Sequence, residues 1–111
     1  MSKERQKGTL HETNVVKFLR DHGFPYAERR ALNGQYDKGD ITGTGPLVWE
    51  CKNHKTLALS EWIQETEQER VNADAEFGVL VVKRRGVFDA GQSYAVMPLE
   101  AIVRLLKQAG Y

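Results

Sequence analysis

The stretch Val48-Trp49-Glu50-Cys51-Lys52 decides how this chain folds. Side chains alternate along an extended chain, which puts Val48, Glu50 and Lys52 on one face and Trp49 and Cys51 on the other. Both faces then carry apolar weight, and this predicts a strand covered on both sides. A carboxylate and an ammonium two residues apart project from the same face. Burying such charges is costly unless they pair or hold an ion, so Glu50 and Lys52 make a candidate site. The competing reading is an exposed ion pair on an edge strand.

Upstream, Gly43 to Pro46 predicts a tight turn joining this strand, Leu47 to Asn53, to a shorter one over Gly39-Asp40-Ile41-Thr42. Gly39 lets the backbone bend or something approach closely. Paired as an antiparallel hairpin, the two strands bring Asp40 opposite Glu50, with Cβ atoms roughly 4.5–5.5 Å apart. Two carboxylates that close repel unless one is protonated or a cation lies between them. Such oxygen ligands suit Mg2+, which takes one or two protein carboxylates and keeps its waters. Water bound to a cation there can be deprotonated to attack a phosphorus, with Lys52 orienting it and offsetting charge that develops on the phosphate.

The remaining elements surround this pair. Residues 1–7 are polar and expected to fray. Thr9-Leu10-His11-Glu12 has the form of a capping box and predicts a helix to about His22, stopped by Gly23. Its apolar stripe is Val15, Val16 and Leu19. Glu12 stands at the end of that stripe, so capping and a place at the site are both open to it. Phe24 to Arg30 predicts a first strand, Asn33-Gly34 a turn, and residues 31–39 a mobile loop. Ser60 predicts the N-cap of a polar surface helix to about Ala75. Phe77-Gly78-Val79-Leu80-Val81-Val82 is a continuous apolar run that predicts a central buried strand. Tyr94 to Met97 predicts a last strand. Pro98, at the first helical position, opens a helix ended by Gly110. The order α-β-β-β-α-β-β-α predicts an α/β fold, a mixed central sheet flanked by helices.

A length of 111 residues allows one compact domain with its own core. Hydrophobic content of 41% and charged content of 28% are ordinary for a globular protein. No apolar run reaches the roughly 20 residues that cross a bilayer, and the charged N-terminus predicts no signal peptide. The single cysteine forms no internal disulfide, and no Cys/His cluster has zinc spacing. A reducing, cytoplasmic setting is expected. His11, His22 and His54 are expected at the surface, Cys51 in the core, and Trp49 and Trp62 as packing residues.

A net charge of +1 hides an uneven distribution. Between Ser60 and Glu76 there are six acidic residues and one basic residue, which leaves fifteen basic against nine acidic residues elsewhere. The basic clusters include Lys3/Arg5/Lys7, Arg29/Arg30, Lys52/Lys55 and Lys83/Arg84/Arg85. They offer material for a phosphate-binding surface. An ordinary mixed surface reads the same way, and Lys83-Arg84-Arg85 reads as a solvated strand end or as a phosphate contact.

Gly39-Asp40 followed by Glu50-Cys51-Lys52 resembles the signature of the PD-(D/E)XK nuclease superfamily. Lys7-Gly8 with Glu12, then Gly23-Phe24 and Arg29/Arg30, is similar to the archaeal-type Holliday junction resolvases and their phage relatives. The resemblance spans roughly residues 7–86. It implies a restriction-endonuclease-like αβββαβ core with an extra C-terminal strand and helix. It also implies Mg2+ or Mn2+ bound by Asp40, Glu50 and Glu12, with Lys52 acting on the attacking water and Gln64 supporting the site. DNA contacts would come from Lys7, Arg29, Arg30, Lys55, Lys83, Arg84 and Arg85. The implied protein is a homodimer that cuts four-way DNA junctions in the cytosol of a bacterium or a phage-infected host. Gly39 stands where the signature has its proline, and Asp37 rivals Asp40 for the metal. Two other readings are a nuclease for flaps, nicks or duplexes, and a nucleic-acid-binding module without turnover.

Overall fold

The computed structural model, which describes residues 2–31 and 34–111, begins with α1 (Lys3–Asp21), β1 (Glu28–Arg29), β2 (Ile41–Thr42) and β3 (Leu47–Lys52). It continues through α2 (Leu59–Asn72), β4 (Phe77–Val82), a 3₁₀ turn (Ala90–Gln92), β5 (Tyr94–Val96) and α3 (Leu99–Gln108). β3 and β4 pair in parallel, from Leu47 beside Phe77 to Lys52 beside Val82, with α2 as the crossover. β5 adds antiparallel to β4. The outcome is the expected α/β arrangement: a mixed three-stranded sheet with helices, plus a separate antiparallel pair, β1 and β2.

β4 is buried along its whole length, as its unbroken apolar run predicts. On one face of the sheet, Val15, Val16 and Leu19 of α1 cluster with Ile41, Val79 and Val81, and Trp49 and Cys51 pack against them. On the other face, Trp62 of α2 packs on Leu80 and Val82. Glu50 and Lys52 lie beside Leu80 and Val82 in register, so they rise on the face that α2 covers. The alternation in β3 therefore sends its charges toward α2 and its aromatic ring toward α1.

The hairpin expected between β2 and β3 does not form as a ladder. One backbone bond joins the two, from the N–H of Asp40 to the carbonyl of Trp49 at 2.7 Å. At the next position the Asp40 carboxylate accepts the N–H of Cys51, also at 2.7 Å. A side-chain oxygen thus stands where a partner strand would place a carbonyl. Gly39 permits this approach: its φ is +94°, and a Cβ there would lie 2.9 Å from both the Trp49 oxygen and the Val48 side chain. Gly39→Ala is expected to lower stability by about 1–3 kcal/mol, through backbone strain and this clash. Urea unfolding checks it; a loss within about 0.5 kcal/mol, the size of an ordinary surface change, contradicts it.

Several boundaries differ from the sequence reading. α1 starts at Lys3, not Thr9, so residues 3–7 are helical. The Ser2 hydroxyl caps it by accepting the N–H of Arg5 at 3.1 Å, and good helix formers follow. The first strand is only Glu28–Arg29, because the chain turns after Phe24. Gly39 and Asp40 precede the second strand, and the third stops at Lys52. α2 begins one residue before Ser60 and carries no side-chain cap. Pro98 stands just before α3 as its N-cap. Asn33 lies outside the described residues. His11 is buried, not at the surface, and its Nε2–H donates to the carbonyl of Val81 at 3.2 Å. No helix among the described residues is long and apolar enough to cross a membrane.

Candidate metal centre and nucleic-acid interface

The face that buries Glu50 also receives two carboxylates from α2. Glu65 and Glu69 stand four residues apart, one helical turn, on the side that holds Trp62 and Thr66 against the sheet. With Asp37 from the chain before β2, they bring one carboxylate oxygen each to within 4.8 Å of one another and of Glu50. Glu50 is 4% exposed and Glu69 2%. Neither oxygen of Glu69 has a hydrogen-bond partner among the described residues.

So much negative charge cannot stay ionised in a buried space without a counter-charge. Burial, together with the neighbouring Asp40, Glu65 and Glu69 carboxyls, pushes the Glu50 carboxyl up to about 12. Burial likewise pushes Glu69 up to about 8, with Asp37 and Asp40 adding repulsion. Glu65 moves the other way. It accepts a hydrogen bond from protonated Glu50 and faces the Lys52 ammonium, which hold it below the usual carboxylate range. The cluster thus keeps a proton on Glu50 where a cation would otherwise serve.

Lys52 is the cluster's own positive group. Its Nζ lies 3.2 Å from Glu65 and 3.5 Å from Glu50. Burial works against its charge, but the acidic groups around it, the hydrogen-bonded Glu65 carboxylate and Asp40 among them, outweigh burial and hold its pKa above the ordinary value. Lys52 is therefore a cation at neutral pH, a donor and not a base.

An open cleft of about 560 Å³ adjoins the cluster, lined in part by Glu12, Asp37, Asp40, Glu50, Lys52 and Glu65. The expected residues Asp40, Glu50, Lys52 and Glu12 thus share one cleft. Asp40 is anchored on Cys51 and stands beside Glu50. Glu12 does not cap α1; its Oε1 accepts the Nε–H of Arg29 at 3.0 Å, tying α1 to β1. Burial and the charge of Asp40 raise its pKa.

Gln64 is exposed on α2 and lines no part of the cleft; Glu65, one residue on, occupies the place expected of it. Glu65 and Glu69 escaped the sequence reading because they sit in an acidic run that looks like a solvated face. The available signal was spacing: Trp62, Thr66 and Glu69 fall on one stripe. Asp37, considered only as a rival to Asp40, is present together with it.

A divalent cation fits this donor set. The ligands are hard oxygens, as Mg2+ and Mn2+ prefer, and no nitrogen or hydroxyl donor reaches either oxygen of the buried Glu69 among the described residues. Without a cation, the folded protein keeps protons on Glu50 and Glu69 that the unfolded chain releases above about pH 4.5. Stability is then greatest below that value and falls as pH rises through about 8. Glu65, whose pKa is lowered, contributes stability that is lost only on the acid side of 4.5. In EDTA, the melting temperature is expected to be lower at about pH 8 than at about pH 5. Excess Mg2+ should raise it more at the higher pH. Equal melting temperatures at both pH values, with and without Mg2+, contradict this.

The basic residues divide into two groups. Lys7, Lys55, Lys83, Arg84 and Arg85 converge on a second pocket of about 420 Å³ that shares Lys7, Asn53, His54 and Lys55 with the cleft. Lys83 is already engaged, donating to the carbonyls of Arg84 and Val87 at 3.0 Å each. Arg29 pairs with Glu12, and Arg30 donates its backbone N–H to the carbonyl of Asp40; neither lines either cavity. Comparison of the chain with protein-family models, with curated proteins and with solved structures found no match in any of the three.

Proposed function

We propose that this protein is a metal-dependent DNA endonuclease that hydrolyses phosphodiester bonds, with four-way junctions as its substrate. One observation carries the reading. Glu50 and Lys52 from β3 meet Asp37, Asp40 and Glu65 in one open cleft, and a carboxylate-free basic pocket opens beside it. A restriction-endonuclease-like core belongs to the same proposal, supported by the order α1, β1–β3, α2, β4 and the parallel β3–β4 pair.

The Mg2+ or Mn2+ would sit on Glu50 with Asp37, Glu65 and Glu69, next to Asp40. When bound, it supplies Lewis acidity to a phosphoryl oxygen and makes water more acidic. The chain's residues do the rest. The Asp40 carboxylate is held by the Cys51 N–H, so its position does not depend on substrate. Lys52, protonated, offsets the charge that grows on the phosphoryl oxygens and directs its donors at the attacking water. Glu12 and Arg29 keep α1 against the mouth of the cleft. Arg84, Arg85, Lys55 and Lys7 attract the phosphates that the carboxylates would repel.

Cutting a junction symmetrically takes two sites, which a homodimer with a two-fold axis supplies. The exposed apolar side chains of α3, Leu99, Val103 and Leu106, are the surface it would use. The test is incubation with labelled four-way junctions, flaps and plain duplexes, in Mg2+ or EDTA. Paired cuts in junctions that need Mg2+ are expected. Equal cutting of every substrate would point to a broader nuclease. Binding without cutting, unchanged in Asp40→Ala, would point to a binding module and overturn the proposal.

A further inference from the structure

Gly8 is an anomaly in α1. Only proline is a poorer helix former than glycine, and Gly8 lies inside Lys3–Asp21. It has no positive φ that would call for glycine. A Cβ built there meets nothing within 4 Å, so no packing among the described residues excludes alanine either. Yet Gly8 lines the cleft, next to Lys7, which lines both cavities. A missing side chain at such a place leaves bare backbone that something outside the chain can approach closely.

The two cavities adjoin along Asn53, His54 and Lys55, and Asn53 donates to the Lys7 carbonyl at 3.5 Å across the seam. Beyond the seam the lining changes sign. No carboxylate lines the second pocket, and none comes within 4.0 Å of Lys7, Lys55, Arg84 or Arg85 among the described residues. Two aromatic rings stand among these cations, His54 at the seam and Tyr94 beyond it; Tyr94 is 57% exposed, with the Arg84 guanidinium 5.1 Å from its centre. Lys83 holds the turn that presents Arg84 and Arg85. At about 420 Å³ the pocket falls within the roughly 300–1,000 Å³ of sites that enclose a small molecule. Cations with an aromatic face are what a nucleotide with a free base requires, the phosphate on the cations and the base on the ring.

We infer that the substrate strand leaves the acidic cleft across the bare helix surface at Gly8, and that the basic pocket holds the next nucleotide with its base unstacked against Tyr94. This rests on the nuclease reading and adds to it the path of the strand and a preference for DNA whose bases are free to leave the stack. Paired bases inside a duplex are not free in this way; bases at a branch point or in a single strand are.

The test uses the full chain with fluorescently labelled junction, single strand and duplex of matched sequence, read by anisotropy with Ca2+ and by cleavage with Mg2+. Gly8→Ala should raise the melting temperature, because alanine favours the helix. Gly8→Leu should weaken junction binding about tenfold or more while remaining folded. Tyr94→Ala should cost about tenfold on junction and single strand, the scale of losing one stacked base, and leave duplex binding unchanged. Arg84→Ala should weaken all binding and lower the salt slope by about 1. Lys17→Ala, an exposed cation on α1 outside both cavities, is the charge-matched control and should bind as wild type. If wild type binds and cuts while Gly8→Leu and Tyr94→Ala match it within about twofold, well inside the expected loss, the strand path is wrong and the nuclease reading stands. If wild type neither binds nor cuts any of the three, both fall together.

Discussion

Glu50→Gln is expected to reduce cleavage by about 10³-fold or more, the scale of removing a principal electrostatic group from an active site, without weakening the fold. Glutamine keeps the size of the side chain but cannot carry the negative charge that a cation needs. In the cation-free protein the Glu50 carboxyl already holds a proton, with its pKa pushed up to about 12 by burial and its acidic neighbours. An amide therefore costs the fold little. Its N–H groups also offer donors to the two Glu69 oxygens that have none, so stability in EDTA should stay level or rise by about 1 kcal/mol. The stabilisation by Mg2+ at high pH should disappear. Activity and stability moving in opposite directions separate this outcome from simple unfolding. A Glu50→Gln protein that cuts at close to the wild-type rate would mean that this carboxylate is not at the reacting centre.

Lys52→Met should lower both quantities. Methionine preserves an unbranched apolar stem between β3 and Trp62, whose ring lies 6.0 Å from the Lys52 ammonium. The charge is lost, and Glu65 at 3.2 Å and Glu50 at 3.5 Å lose their cationic partner. Removing one member of a fully buried pair costs about 3–5 kcal/mol. Glu65 is 38% exposed at its side chain and water screens it, so a loss of about 2 kcal/mol is expected. Cleavage should fall by about 10²–10³-fold, because the ammonium that acts beside the metal to offset charge on the phosphate is lost. Lys52→Arg separates the two roles. It should recover most of the stability and little of the activity, since a guanidinium keeps the charge but not the geometry of the ammonium. Full activity in Lys52→Met would remove Lys52 from the mechanism.

How much of this was legible in the sequence depended on the range of the interaction involved. The alternation in β3 is local, and it correctly sends Glu50 and Lys52 one way and Trp49 and Cys51 the other. The Phe77–Val82 run and the crossover helix before it gave the parallel pair for the same reason. α1 starts earlier than the sequence predicts because Ser2 offers a cap that competes with the capping box at Thr9-Leu10-His11-Glu12. The helix runs through Gly8 because five good helix formers precede it and the packed face at Val15, Val16 and Leu19 follows it. Glu65 and Glu69 were hidden for a different reason. A carboxylate facing a buried cluster and one facing water are the same letter in a charged helix, and only the opposing Glu50 tells them apart. The link between β2 and β3 was out of reach altogether, since it depends on the backbone twist at Gly39 and on a carboxylate standing in for a strand.

The most direct measurement is a calorimetric titration of Mn2+ into the metal-free protein and into Glu50→Gln, at a pH near 8. Saturable binding by the wild type is expected, accompanied by proton release as the cation replaces the proton on Glu50, and loss of that binding in the variant. Wild-type protein that takes up no Mn2+, or a Glu50→Gln protein that binds it as tightly, would contradict a cation site built on Glu50.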